Sequence, residues 1–187
     1  MQIRNFKLSK AIREIYKDRG ELESHFWLFL VNNITSSFAI PTLLRVLILR
    51  FAGIRISMNS QIKANCVIRT RKLVIGKGST VNCNAVFDNR VNINIGEYVG
   101  IGIGVSFITS SHNIDNPKIR AGTGSMSEIV IEDGVFIGSN ATILQGVRIR
   151  RGAVIGAGSL VLNDCDENGF YVGVPARKIS SLPSEVE

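Results

Sequence analysis

His112 lies in a sequence context where an imidazole could act in proton transfer. The chain has two histidines, and His112 follows an apolar run, near the start of a polar stretch over residues 109–129 that is rich in Ser, Asn and Gly. We expect this stretch to be a surface loop, and loops held on a rigid scaffold often carry catalytic residues. An imidazole takes up and releases a proton near neutral pH, so His112 is a candidate general base. The alternative is an ordinary exposed loop histidine, and His25, which carries no motif, is expected to be structural or interfacial.

Other reactive side chains are too few or too scattered to form a recognised site. Two histidines per chain do not suffice for a three-histidine zinc site. The cysteines, Cys66, Cys83 and Cys165, lie far apart and form no C-x-x-C pair, which argues against a disulfide framework and a metal site. Free thiols fit a reducing compartment, and the first twenty residues lack the continuous apolar core of a signal peptide. We therefore predict a cytoplasmic protein without a metal.

A strict six-residue repeat is the strongest pattern in the chain. From residue 131 a large aliphatic residue recurs at every sixth position, and the fourth residue after each is small or β-branched. The large positions are Ile131, Ile137, Ile143, Ile149, Ile155 and Val161, and the small ones are Val135, Ala141, Val147, Ala153, Ser159 and Cys165. A period of six fits a coil with three short flat faces, so that about 18 residues make one turn. Such coils stack about 4.8 Å apart, with the large residues in a central column.

The same spacing appears earlier in the chain, interrupted by one or two inserted residues between runs. The three earlier runs are Ile56, Ile62 and Ile68; Ile75, Val81 and Phe87; and Ile95, Ile101 and Phe107. We predict an N-terminal helical region over 1–54, a β-helix over 55–166 with the loop 109–129, and a C-terminal tail over 167–187. Cys66 and Cys165 fall at small inward positions, so both are expected to pack in the core.

The basic excess lies at the N-terminal end of the chain. The net charge is +7, and residues 1–55 hold nine Lys or Arg against four Asp or Glu. Residues 8–19 favour a polar, basic helix, whereas residues 26–52 are apolar but too short and too charged to span a bilayer. Two interpretations stay open for 26–52: peripheral contact with the inner face of a membrane, or helices that cap the β-helix or pack against neighbouring subunits. Basic residues are not interleaved with aromatic residues on one face, so no nucleic-acid partner is predicted.

Three segments carry motifs beyond the repeat itself. They are residues 95–112, which end in Ser-Ser-His; residues 131–139; and residues 155–159 followed by Gly-Val-Pro-Ala-Arg at 173–177. Together they resemble the hexapeptide-repeat acyltransferases, in particular the galactoside, maltose and polysaccharide O-acetyltransferases. The resemblance covers roughly residues 50–180. It implies a left-handed parallel β-helix, a homotrimer, and active sites in the clefts between subunits. A prism with flat sides also offers faces through which copies could associate.

The resemblance further implies that an acetyl group passes from acetyl-CoA to a sugar hydroxyl, with His112 as general base. Asn84 matches an asparagine that contacts the acceptor sugar, and its amide can both donate and accept hydrogen bonds. The alternative for Asn84 is a corner residue of the coil. Asp115, three residues after His112, could orient the ring or contact the acceptor, or could be an ordinary exposed carboxylate.

For coenzyme A, the matched positions lie late in the chain. The resemblance places Ser139 near the pantetheine arm, Ala157 where its backbone would pair with that arm, and Arg177 near the phosphates, with Lys178 assisting. The sequence departs from the family at Leu162 and Asn163, where Thr and Lys are usual, and at Phe136, where Trp is common. These departures fall at positions that are expected to contact the adenine and the phosphates of coenzyme A.

We expect an O-acetyltransferase of surface polysaccharide or lipid-linked glycan biosynthesis. One alternative is an N-acetyltransferase of a nucleotide-linked amino sugar, which would keep the fold and change the acceptor. The other is a non-catalytic β-helix binding module, which would need neither the His112 loop nor a C-terminal tail that binds CoA.

Overall fold

Short strands wind into a three-sided parallel β-helix. The computed structural model describes residues 25–184, so the predicted helix over 8–19 lies outside the described residues. The strands form three sheets, named A, B and C here, one for each side of the prism, and their strands are parallel except for one antiparallel strand at the C-terminal end of sheet B. The predicted fold class, a left-handed parallel β-helix of hexapeptide repeats with an N-terminal helical region and an excursion loop, is confirmed.

The strands are two to five residues long and are assigned to the sheets as follows. Sheet A contains β1 (Arg55–Ile56), β4 (Leu73–Ile75), β7 (Ile93–Ile95), β12 (Ile129–Ile131) and β15 (Arg148–Ile149). Sheet B contains β2 (Gln61–Ile62), β5 (Thr80–Val81), β8 (Gly100–Ile101), β13 (Phe136–Ile137), β16 (Val154–Ile155), β18 (Gly169–Val172) and β19 (Arg177–Ser181). Sheet C contains β3 (Val67–Ile68), β6 (Val86–Asp88), β9 (Ser106–Ile108), β14 (Thr142–Leu144) and β17 (Leu160–Val161). A separate antiparallel hairpin pairs β10 (Ser110–His112) with β11 (Gly124–Met126).

Successive coils stay in register although the repeat slips. Ile56 pairs with Ile75, 19 residues on, and Ile75 pairs with Ile95 after 20 residues. Beyond the loop, Ile131 pairs with Ile149 after 18 residues. The inserted residues therefore lie in corners and leave the strand pairing intact.

The predicted large positions form the interior column. Each of them is buried from Ile56 through Val161, because alternate residues of every strand point into the prism. Phe87 and Phe107 replace aliphatic residues in two adjacent coils of sheet C, and their rings stack with centroids 5.1 Å apart. Cys66 and Cys165 are both buried.

The corners between sheets form three edges, which we name A–B, B–C and C–A after the sheets that they join. The B–C edge holds a column of residues with φ between 58° and 70°, namely Asn65, Asn84, Gly104, Asn140 and Gly158. Glycine and asparagine tolerate this left-handed conformation better than other residues do. Their fixed offset in the sequence therefore reflects a repeated corner geometry.

The N-terminal helices cap the first coil. Residues 25–29 are helical and continue into a π-helical turn (Leu30–Ile34), which is followed by helix α1 (Thr42–Phe51). Arg45 of α1 is buried, and its guanidinium donates to the carbonyl oxygens of Thr35, Ser37, Ile40 and Ile62. One arginine thus satisfies a backbone oxygen of strand β2 and three oxygens of the preceding loop. The buried side of α1 therefore agrees with one of the two interpretations of residues 26–52, in which these helices cap the β-helix.

Candidate active site

His112 is the last residue of β10 and stands on the hairpin that leaves the β-helix at the C–A edge. The hairpin lies between β9 of sheet C and β12 of sheet A, and His112 pairs with Gly124 across it. The imidazole is exposed, and its Nδ1 lies 3.0 Å from the carbonyl oxygen of Gly122. A carbonyl oxygen only accepts hydrogen bonds, so Nδ1 carries the proton in the neutral ring. Nε2 is then the unprotonated nitrogen, which is the arrangement a general base needs.

The foot of the hairpin is tied to the coil below it. Thr109 is fully buried, and its hydroxyl donates to the Asp88 carbonyl oxygen at 2.7 Å and accepts from the Arg90 N–H at 2.9 Å. The Ser110 hydroxyl donates to the Asp88 carboxylate at 2.9 Å. These contacts fix the start of β10, two and three residues before His112.

Asp115 does not contact the imidazole in this structure. Its carboxylate accepts a hydrogen bond from the Asn113 amide at 2.9 Å, and its N–H donates to the Asn113 side-chain oxygen at 2.8 Å. The group that orients the His112 ring is therefore the Gly122 carbonyl. The Asp115 carboxylate is exposed on the same loop, where it remains a candidate for the acceptor.

Asn84 lies on the B–C edge and is one of the corner residues, with φ of 64°. Its side-chain oxygen accepts from the Asn65 amide of the coil below at 2.8 Å. The Asn84 side-chain NH₂ makes no hydrogen bond within residues 25–184, so an exposed donor remains on this edge. Corner geometry and ligand binding are thus compatible for Asn84.

Ser139 and Ala157 follow on the same edge, one coil apart. The Ser139 hydroxyl accepts from the Ile103 N–H at 3.2 Å, which leaves its own proton to donate. Ala157 is exposed, and neither its N–H nor its carbonyl makes a backbone hydrogen bond within the described part of the chain. An extended amide-bearing ligand could pair with these groups.

Arg177 and Lys178 begin β19, which folds back on β18 at the end of the β-helix. Both line a cavity of about 190 Å³ together with Leu162 and Asn163. Lys178 Nζ lies 3.2 Å from Asp166 and holds the pKa of that carboxyl below its ordinary value. Arg177 forms no ion pair among the described residues, so its charge is the less compensated of the two.

The predicted residues therefore fall into two groups on different edges of the prism. His112 and Asp115 stand at the C–A edge, whereas Asn84, Ser139 and Ala157 follow the B–C edge, with sheet C between them. A single chain does not bring the two groups together. The sequence also did not identify Gly122 or Thr109 as parts of the site, since neither belongs to the repeat or to a recognised motif.

A three-sided coil of hexapeptide repeats with one histidine-bearing hairpin defines the class of the protein as a hexapeptide-repeat β-helix. A family model described as the hexapeptide repeat of succinyl-transferase matches residues 128–163. The galactoside O-acetyltransferase of Lactococcus lactis is 31% identical over 134 residues, which are 66% of this chain and 65% of that protein. A second curated relative is a putative acetyltransferase of Schizosaccharomyces pombe, of which the chain spans 53%. The chain therefore covers between about half and two thirds of these two proteins.

Two solved structures extend the similarity over most of the chain. The hexapeptide-repeat acetyltransferase of Vibrio cholerae, solved with acetyl-CoA, is 29% identical with a TM-score of 0.74, and the match covers 86% of each chain. The maltose O-acetyltransferase of Clostridium difficile is 27% identical with a TM-score of 0.75, covering 87% of this chain and 86% of that one. Over most of its length the chain is therefore similar in sequence and fold to hexapeptide-repeat acetyltransferases.

Proposed function

We propose that the protein is an acetyl-CoA-dependent O-acetyltransferase that acts on a sugar hydroxyl, with His112 as general base. The observation that carries this proposal is the contact between His112 Nδ1 and the Gly122 carbonyl, which leaves Nε2 basic and exposed. Nε2 takes the hydroxyl proton while the sugar oxygen attacks the thioester carbonyl. The carbon–sulfur bond then breaks, and the CoA sulfur leaves with the proton that the imidazolium returns. The acetyl group passes directly to the sugar without an acyl-enzyme.

The donor is proposed to lie along the B–C edge. The unpaired backbone of Ala157 would bond the amides of the pantetheine arm, with the Ser139 hydroxyl nearby. Arg177 would bind phosphate oxygens, since its guanidinium can give two parallel charge-assisted bonds, and Lys178 would add a second cation. Leu162 and Asn163 line the same cavity as these cations. They would supply an apolar and an amide contact where the family usually has the hydroxyl of Thr and the ammonium of Lys.

On the acceptor side, Asn84 and Asp115 are the proposed contacts. The free NH₂ of Asn84 can donate to a sugar oxygen, and the Asp115 carboxylate can accept from a sugar hydroxyl. The acceptor is proposed to be a surface polysaccharide or its lipid-linked precursor. An acceptor panel of neutral sugars, amino sugars and glycans tests this, with release of the CoA thiol as the readout. Transfer to hydroxyl acceptors supports the proposal, and transfer to amino sugars alone contradicts it.

The separation of the two edges supports a homotrimer with its sites between subunits. In such a trimer the C–A edge of one subunit faces the B–C edge of the next. We test this by mixing His112→Ala with Ala157→Trp, which blocks an exposed position on the donor edge. Random mixed trimers should recover up to about a quarter of the wild-type activity, because a quarter of their sites combine two intact edges. A site within one subunit would recover nothing.

The outer side of α1 supports membrane contact. Leu43, Leu47 and Phe51 are spaced four residues apart and are exposed, opposite the buried Val46 and Leu49. No helix within residues 25–184 is long and apolar enough to cross a bilayer. An exposed apolar stripe beside an exposed basic residue, here Arg50, is typical of helices that lie in the membrane interface. We propose that the protein works at the inner face of the membrane from the cytoplasm.

Vesicle sedimentation tests the membrane contact. The double variant Leu43→Ser with Leu47→Ser should lose binding to anionic phospholipid vesicles. Ile179→Ser, which changes an exposed apolar residue at the other end of the β-helix, should keep it. Equal binding by all three proteins would contradict this part of the proposal.

A further inference from the structure

The C–A edge below the His112 hairpin is strongly basic. Two segments at this edge, residues 69–72 and 88–92, lie in the two coils that precede the hairpin, and the second begins with the last residue of β6. They hold four cations, Arg69, Arg71, Lys72 and Arg90, and a single acid, Asp88. The edge therefore carries a net positive charge of three within two coils.

The one carboxylate does not neutralise these cations. Asp88 lies 2.7 Å from the Arg69 guanidinium and 3.9 Å from that of Arg90, and it also accepts from Ser110. The side chains of Arg69 and Arg90 are 51% and 45% exposed, so both retain free donors. Lys72 is exposed, and its Nζ donates to the Arg90 carbonyl oxygen at 2.9 Å, which holds it against the coil above. Lys72 thus presents a positioned ammonium without a carboxylate partner among the described residues.

This basic column leads directly to the proposed base. The Arg90 N–H donates to Thr109, three residues before His112, so Arg90 lies one coil below the start of the hairpin. Lys72 lies one coil further down. Because coils are stacked at about 4.8 Å, the column lies about 5 to 10 Å below the hairpin, and only its upper end, at Arg90, lies within the span of one sugar ring.

An apolar groove continues the edge below the cations. Arg71 lies over the Trp27 ring, with the guanidinium carbon 5.0 Å from the ring centroid, and donates to the Ala52 carbonyl oxygen. A groove of about 400 Å³ opens beside it, lined by Phe26, Leu30 and Phe51 as well. Phe26 and Phe51 are exposed at 66% and 91%. The edge therefore offers, in order, an apolar groove, a cationic column and the histidine.

We infer that Lys72, Arg90 and Arg69 form a phosphate subsite for the acceptor, and that the groove receives the lipid attached to that phosphate. This inference rests on the proposed function, because His112 would act on a hydroxyl of the phosphate-linked sugar. Two guanidinium groups and one ammonium group share a single carboxylate here, so the cluster favours an anion. Arg71 lines the groove, which places an apolar chain next to that anion. The acceptor class is a glycan joined to a lipid through phosphate.

Four acceptors built on one sugar separate the two parts of the subsite: the free sugar, its 1-phosphate, an alkyl glycoside and an alkyl phosphate-linked form. Lys72→Ala and Arg90→Ala should each raise KM for the two phosphate forms about tenfold, as expected for a lost charge-assisted bond, with KM for the free sugar unchanged. Lys77→Ala is the matched control, because Lys72 and Lys77 flank the two ends of strand β4.

Phe51→Ser should raise KM for the alkyl forms only, whereas Phe38→Ser, outside the groove and 77% exposed, should not.

Calorimetric binding of the sugar 1-phosphate separates this inference from the proposed reaction. Wild type and Lys77→Ala should bind with equal affinity, and Lys72→Ala about tenfold more weakly. If wild type does not bind, or if Lys72→Ala and Lys77→Ala bind equally, the phosphate subsite is overturned. Selective binding without acetyl transfer to any acceptor would uphold the subsite and contradict the proposed function.

Discussion

The Nδ1 atom of His112 and the carbonyl oxygen of Gly122 lie 3.0 Å apart across the turn of the β10–β11 hairpin. The contact sets the tautomer of the neutral ring, because only a protonated Nδ1 can bond a carbonyl oxygen. It also sets the direction of Nε2, the nitrogen that would accept a proton. A backbone group therefore performs the orienting role that a carboxylate often fills.

Gly122→Ala should impair turnover without unfolding the protein. A Cβ at residue 122 would lie 2.9 Å from the Asn113 carbonyl oxygen, so the loop must shift and the Gly122 carbonyl with it. A misplaced base can cost up to about 100-fold in rate, and we expect kcat to fall about 10- to 100-fold. Steady-state kinetics and thermal melting measure the two effects.

Gly124→Ala is the matched control in the same hairpin. A Cβ at residue 124 would meet only the Ser111 carbonyl oxygen at 3.8 Å, an ordinary contact. This variant should keep the wild-type kcat. Equal kcat in the Gly122 and Gly124 variants would show that the carbonyl contact does not control the ring.

Arg45→Met should destabilise the protein strongly. The substitution removes the donors for four backbone oxygens, of which those of Thr35 and Ile62 belong to buried residues. An unsatisfied buried acceptor costs about 1–3 kcal/mol, so we expect a loss of roughly 3 kcal/mol or more in the free energy of unfolding. Urea denaturation measures it.

Arg55→Ala provides the comparison for Arg45. Arg55 begins strand β1 and is exposed, so its loss should change the free energy of unfolding by less than about 0.5 kcal/mol. A similar small effect for Arg45→Met would refute the capping role.

Only one of the three thiols should react quickly in the folded protein. Burial raises the pKa of Cys66 to about 11 and, with the nearby charges of Asp164 and Asp166, that of Cys165 to about 12. Both stay protonated at pH 8, and the thiolate is the reactive form. Titration with a thiol-specific disulfide reagent should show one fast group, from the partly exposed Cys83.

Cys83→Ser should abolish that fast phase, and unfolding should release the other two thiols. Thiolate populations of Cys66 and Cys165 would increase only as the pH approaches their raised pKa values. A second fast thiol at pH 8 would contradict the buried placement of these residues.

The β-helix could be predicted because its cause is local and repeated. One inward residue in every six, from Ile131 to Val161, fixes the faces, and strand pairing one coil apart follows from it. The slips between the earlier runs were also visible, since extra corner residues shift the count without changing which residues are large.

The hairpin and the cap depend on contacts that no period encodes. Gly122 lies in a loop without a repeat, so the sequence alone does not pair its carbonyl with His112. Arg45 interrupts an apolar stretch, and the sequence left open whether that stretch meets a membrane or closes the coil. In the structure Arg45 and Leu49 of α1 pack inward, whereas Phe51 faces out.

Acceptor-dependent release of CoA from acetyl-CoA by wild type and His112→Ala tests the central claim most directly. The removal of a general base should lower kcat about 100- to 10,000-fold, while the affinity for acetyl-CoA stays unchanged, because His112 lies on a different edge from the proposed donor residues. Equal acceptor-dependent release from both proteins would remove His112 from the reaction.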